Sequence, residues 1–190
     1  MRVEDLVAAG FGHEEGTFET MTDASGVRVL RLGANTLRVD VPSEIDVGPA
    51  VVGCAWTHGT FVDLDLGVAV HFERAAEGMV AGVWLRSSAS SGVCIMLSPD
   101  GRVSATVRRD DETPIVPLAT VQARSASDAN GTFVLRAKVL GEKLIVHRNG
   151  VVAMSVTCPT DIVGGAALVV QVPTSERGVV VFGDACARLP

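Results

Sequence analysis

The sequence predicts an all-β chain folded as two antiparallel sheets packed face to face, and three observations predict it. Runs of alternating apolar and polar residues recur every 8–14 residues from residue 17 to the C-terminus. Turn-forming sequences, Pro99-Asp100-Gly101, Gly141-Glu142 and Asn149-Gly150, fall between those runs. No apolar period of 3.6 residues is sustained beyond residue 12. Alternation at period two gives each strand one dry and one wet face, and a sheet with one dry face needs a second layer to cover it.

Residues 1–16, MRVEDLVAAGFGHEEG, read as a lead-in segment with one short amphipathic turn of helix, and 17–190 as a single β-sandwich domain. At 190 residues the chain suits one such domain with a sizeable core. Strands are expected at Thr17–Thr20, Val27–Leu32, Thr36–Val41 and Ala50–Trp56. The longest clean alternation follows: Val62, Leu64, Leu66, Val68, Val70 and Phe72 on one side, with Asp63, Asp65, Gly67, Ala69 and His71 on the other. Met79–Arg86, Val93–Leu97 and Val103–Arg109 come next. Ile115–Ala123 carries Pro117, which cannot donate to a ladder, so it belongs at a sheet edge. Runs at 133–139, 143–148 and 151–156 form a three-stranded meander on two-residue turns, with Leu135, Ala137 and Val139 facing inward and Arg136 and Lys138 facing out. Ala166–Val172 and Gly178–Arg188 complete the set.

Composition narrows the function classes. A hydrophobic content of 47% and mean hydropathy of +0.35 exclude a disordered chain, and no apolar run approaches the roughly 20 residues of a membrane-spanning helix. The net charge of -6 is spread along the sequence, which argues against a nucleic-acid surface. Fourteen Arg against two Lys, with no Tyr, is the bias of a GC-rich bacterial genome. No basic segment followed by an apolar one precedes residue 20, so no signal peptide is visible; an extracytoplasmic site is favoured only if a signal or anchor has been removed, and a cytoplasmic one otherwise. Cys54, Cys94, Cys158 and Cys186 are too far apart for a zinc ribbon or a redox pair. Cys94 reads as a small buried thiol within an apolar strand, and Cys158 and Cys186, each at the end of a strand-like run, are the pair best placed for a disulfide.

The order of these signals resembles the concanavalin A-like lectin/glucanase jelly roll, in the branch that holds laminin G-like modules and domains related to 3-keto-disaccharide hydrolases. The residues that carry the resemblance are the strand Phe61–Glu73, Gly82-Val83-Trp84-Leu85-Arg86, Gly92–Leu97, Asp100-Gly101, Phe133–Val139, Leu144–Gly150 and Val179–Asp184. Cys94 stands where relatives carry an aromatic residue, and Phe133 where they often carry Trp. The resemblance implies a recognition module. Laminarinase-like relatives carry E-x-D-x-E or E-x-D-x-x-E on one strand, because same-face carboxylates can flank a glycosidic bond. Here only Asp63 and Asp65 occupy that strand, and Gly67 or Val68 replaces the third carboxylate.

The expected function is therefore a non-catalytic module that binds a glycan or protein ligand, as part of a bacterial extracytoplasmic or receptor protein. The alternative is a glycoside hydrolase-like enzyme, or a relic of one, acting at the Asp63/Asp65 face. Candidate ligand-binding residues are Asp63, Asp65 and His71 on one strand with Trp84 and Arg86, of like parity, on its neighbour. Against this stands a plainer reading in which Trp84 is core and Arg86 pairs with one of those Asp residues. Two Trp and no Tyr are a poor inventory for stacking on sugars, which tilts the expectation toward a protein or cell-surface ligand. No cofactor is expected. Calcium, common at the rims of this fold, would have only Asp110-Asp111-Glu112 or Ser127-Asp128-Ala129-Asn130 to hold it. His13, His58, His71 and His147 have no metal-ligand spacing, and no nucleophile-elbow, phosphate-loop or dinucleotide motif occurs. The sequence leaves the oligomeric state open.

Overall fold

The computed structural model describes residues 21–22, 28–33, 36–42, 50–55, 60–87, 91–109, 114–122, 131–172 and 176–188. The expected lead-in segment, the strand at Thr17–Thr20 and both acidic loops considered for calcium lie outside them. The described residues form fourteen strands and no helix: β1 (Met21–Thr22), β2 (Arg28–Gly33), β3 (Thr36–Val41), β4 (Ala50–Ala55), β5 (Leu64–Arg74), β6 (Val80–Ser87), β7 (Gly92–Leu97), β8 (Val103–Arg108), β9 (Val116–Val121), β10 (Thr132–Leu140), β11 (Lys143–Arg148), β12 (Val151–Thr157), β13 (Gly165–Val172) and β14 (Gly178–Arg188). All pairings are antiparallel.

One sheet has eight strands in the order β1-β2-β3-β14-β5-β10-β11-β12, the other six in the order β4-β13-β6-β7-β8-β9. Their dry faces meet in one core. Leu64, Leu66, Val68 and Val70 of β5, Phe133, Leu135, Ala137 and Val139 of β10, and Val180 and Phe182 of β14 face Val83 and Leu85 of β6, Ile95 and Leu97 of β7, and Leu168 and Val170 of β13, all of them buried. Each of these side chains larger than alanine contributes about 1.5–3 kcal/mol by leaving water, so the alternation read in the sequence is also the main source of stability. Phe72 and Phe133 meet edge to face with ring centroids 6.5 Å apart, the arrangement favoured by the ring quadrupoles.

The meander appears as β10-β11-β12 with the expected turns, and the Pro117-bearing strand is the edge of the six-stranded sheet. Three expectations need correction. Val62 is not part of the long strand; it sits in a bend and is 49% exposed, because the ladder of β5 begins at Leu64. β5 and β6 are not neighbours: the chain crosses to the other sheet between them, so Trp84 and Arg86 do not stand beside Asp65 and His71. Cys158 carries a free thiol, so the Cys158–Cys186 disulfide is not formed: the Cys158 sulfur is buried beside Arg86, while the backbone of Cys186 on β14 lies opposite Gly67 of β5.

Candidate functional site

The wet face of the eight-stranded sheet carries a recess that gathers charged groups from three strands. β5 lays Asp65, Gly67, Ala69 and His71 along it, and register places Arg136 of β10 opposite Gly67 and Val134 opposite Ala69. Gly67 and Ala69 have little or no side chain, so the sheet surface dips there between larger neighbours. On the other flank β14 holds its register to Gly183↔Ala69 and resumes at Cys186↔Gly67; three residue steps on β14 answer two on β5. The extra residue is a β-bulge, and it turns the strand at Asp184 and Ala185. Asp184, with φ of 49°, borders the recess while Ala185 is buried. The recess has a volume of about 240 Å³ and is lined by Asp65, Gly67, Val68, Ala69, Val134, Arg136 and Asp184.

Its charged rim is part fixed and part open. Arg136 donates from Nε to Asp65 Oδ1 at 2.7 Å and from Nη2 to Oδ2 at 2.5 Å, a bidentate fork that holds both planes. Asp65 is 9% exposed as a residue, whereas the Arg136 side chain keeps 51% of its surface in water. His71 lies farther along the same face, with Nδ1 3.4 Å from Thr132 Oγ1.

The other expected site residues are elsewhere. Asp63 precedes β5, and its Oδ1 accepts the Gly141 N–H at 2.7 Å, capping the β10–β11 turn. Arg86 is 2% exposed and makes no salt bridge with a carboxylate among the described residues; its donors go to backbone carbonyls and one cysteine sulfur. Nε donates to the Val62 carbonyl at 2.8 Å, Nη2 to Val62 at 2.6 Å and Gly141 at 2.7 Å, and Nη1 to the Pro159 carbonyl and, at 3.4 Å, to Cys158 Sγ. These are all five N–H groups that an arginine has. Arg86 therefore ties the approach to β5, the β10–β11 turn and the segment after β12 at one rim of the sandwich, and among the described residues it does not form the ion pair of the plainer reading. Trp84 lies on the wet face of the six-stranded sheet, opposite Cys94 and Ala167, with its indole over Gly92. A Cβ at Gly92 would meet Trp84 Nε1 at 1.8 Å, so the bare backbone is what lets the ring lie there. The half-buried Trp84 has a buried Nε1 without a partner among the described residues.

Neither thiol among the described residues is activated as a nucleophile. Burial pushes the Cys94 thiol up to about 12, and burial also raises Cys158 although Arg86 beside it pulls the other way. Among the described residues no three His, Cys, Asp or Glu side chains are grouped as metal ligands.

The sequence singled out Asp65 and its face but missed Arg136, Val134 and Asp184 as its companions. Arg136 was legible as outward-facing; that β10 would lie beside β5 was not. For Asp184 the one trace is a slip of phase, from buried Val180 and Phe182 to buried Ala185.

No protein-family model and no curated protein matches this chain. Solved structures match its fold. The carbohydrate-binding module CBM66 from Bacillus subtilis superposes with a TM-score of 0.60 at 9% identity, covering 80% of this chain and 86% of that one. A functionally unknown protein from Saccharomyces cerevisiae gives 0.55 at 15% identity, with 90% and 96% covered. The binding domain of botulinum neurotoxin DC gives 0.54 at 9% identity, with 85% of this chain and 40% of that chain covered. At such identities the likeness establishes the fold, a jelly-roll sandwich consistent with the concanavalin A-like class.

Proposed function

We propose that this protein is a non-catalytic glycan-recognition module that takes its ligand on the wet face of the eight-stranded sheet. The recess beside Gly67 carries the reading: a floor of small residues, an aliphatic wall at Val134 and Ala69, and a polar rim from Asp65, Arg136 and Asp184. A sugar ring has the matching chemistry, with C–H faces for the wall and hydroxyls that both donate and accept. The neighbouring folds support a glycan over a protein ligand, since one is named a carbohydrate-binding module and another, a toxin binding domain, is described in complex with SialylT.

The hydrolase alternative has less support. Glycoside hydrolysis needs two available carboxyl groups across the scissile bond. Both oxygens of Asp65 are engaged by Arg136, and Asp63 is engaged by the Gly141 amide at the rim. A glycan array probed with the purified protein tests the proposal. Bound sugars are expected to be lost in Gly67→Leu, which fills the floor, and kept in Trp84→Ala, on the opposite sheet. The reverse pattern would move the site to the other layer.

A further inference from the structure

Among the described residues, three that are not glycine hold the left-handed backbone conformation: Arg86 with φ of 50°, Asn149 with φ of 50° and Asp184 with φ of 49°. Such a conformation costs an L-residue energy and persists only where something compensates for it. For two of the three the compensation is visible. Arg86 spends all five N–H groups on the rim. Asn149 opens the tight turn before Gly150 and clamps the neighbouring strand twice, its N–H donating to the Val134 carbonyl at 2.8 Å and its Oδ1 accepting the Val134 N–H at 2.7 Å. Asp184 has no hydrogen bond or ion pair from its side chain to any described residue, and it is exposed. What its bulge achieves is to bring a carboxylate to the border of the recess, between the Gly67–Ala69 floor and solvent.

We propose that Asp184 is the specificity-determining residue of this recess, accepting hydrogen bonds from hydroxyls of one sugar ring. This rests on the glycan reading above. At about 240 Å³ the recess is smaller than the roughly 300–1,000 Å³ of pockets that enclose drug-sized ligands, so it holds a single ring and leaves the rest of a chain in water. A carboxylate accepts from two adjacent hydroxyls at once, and charge-assisted bonds of this kind are about twice as strong as neutral ones. The ring's apolar edge then rests on Val134 and Ala69, while Arg136, fixed by Asp65, borders the opposite side.

The test is a titration of the isotope-labelled protein, followed by amide NMR shifts, with D-glucose, D-galactose, D-mannose, D-fructose, D-xylose and L-arabinose, each as the monosaccharide and as its homodisaccharide. At least one sugar is expected to shift the Gly67, Ala69 and Val134 amides, with the disaccharide binding within about threefold of its single ring. Asp184→Gly, which keeps the left-handed backbone and removes the carboxylate, is expected to weaken that sugar at least tenfold. If a sugar binds at these amides and Asp184→Gly changes its affinity by less than twofold, the role of Asp184 is overturned and glycan recognition stands. Binding that needs the second ring overturns the single-ring assignment alone. If no sugar shifts these amides in the folded protein, the glycan reading fails and Asp184 loses its role with it.

Discussion

Arg86 at the rim and Arg136 beside the recess are both arginines on strands of one sandwich, yet Arg86 is 2% exposed with every donor taken by the protein, and the Arg136 side chain leaves half its surface in water. The same contrast separates the two left-handed residues of these regions. Arg86 repays its backbone conformation with contacts to three segments, whereas Asp184 repays it with none among the described residues. A charged side chain whose bonding capacity is exhausted internally holds the fold. One that keeps half its surface in water borders the recess instead. The sequence cannot separate these cases, because Leu85-Arg86 and Leu135-Arg136 both look like an outward arginine directly after an inward leucine.

The contrast breaks most visibly at Arg86. Replacing it with Met keeps much of the volume but strands the carbonyls of Val62, Gly141 and Pro159, each costing about 1–3 kcal/mol when buried without a donor. Allowing for water entering at the rim, a loss of about 3–5 kcal/mol is expected in urea denaturation, with an unchanged slope. Arg86→Lys should recover only part of it, since an ammonium cannot reproduce the planar fork. A loss below about 1 kcal/mol for Arg86→Met would show that the rim does not depend on this side chain.

A smaller effect is expected from the Asp65–Arg136 fork, and it should be lopsided. Arg136→Met leaves a carboxylate that is 9% exposed without its bidentate partner, while Asp65→Asn leaves a guanidinium that is already half in water. The first change should therefore destabilise more than the second. A double-mutant cycle should return a coupling of about 1 kcal/mol, because the exposed side of the pair is screened by solvent. Equal single-mutant costs with no coupling would mean the fork does not fix the rim of the recess.

What the sequence disclosed and what it hid follow the range of the interactions. Strand limits, the meander and the Pro117-bearing edge depend on neighbours within a few residues, and alternation such as Leu64-Leu66-Val68-Val70 reports them directly. The order β3-β14-β5-β10 pairs residues from 61 (Thr132 with His71) to 145 (Phe182 with Leu37) positions apart, and no local pattern encodes it. For this reason the sequence singles out Asp65 without Arg136 and sets Trp84 and Arg86 beside β5, whereas the chain carries them to the other sheet. Arg86 had the further disguise of its left-handed backbone, which turns an outward-phased residue into the interior.

The subtlest expected effect lies at Asp184 and has the opposite sign. A left-handed conformation costs an L-residue about 1–2 kcal/mol, and Asp pays toward the low end because its short polar side chain tolerates that region. Glycine adopts it freely but loses about 0.5–1 kcal/mol more in backbone entropy on folding. With no side-chain bond to a described residue to lose, Asp184→Gly should leave the protein as stable as before or raise its stability by about 0.5 kcal/mol, read as a rise in denaturation midpoint. In the same protein sugar affinity should fall, the pattern of a position kept for its ligand at some expense to the fold. If Asp184→Gly instead destabilises by more than about 1 kcal/mol, the carboxylate is holding β14 together, and Asp184 then belongs with Arg86 among residues that serve the scaffold.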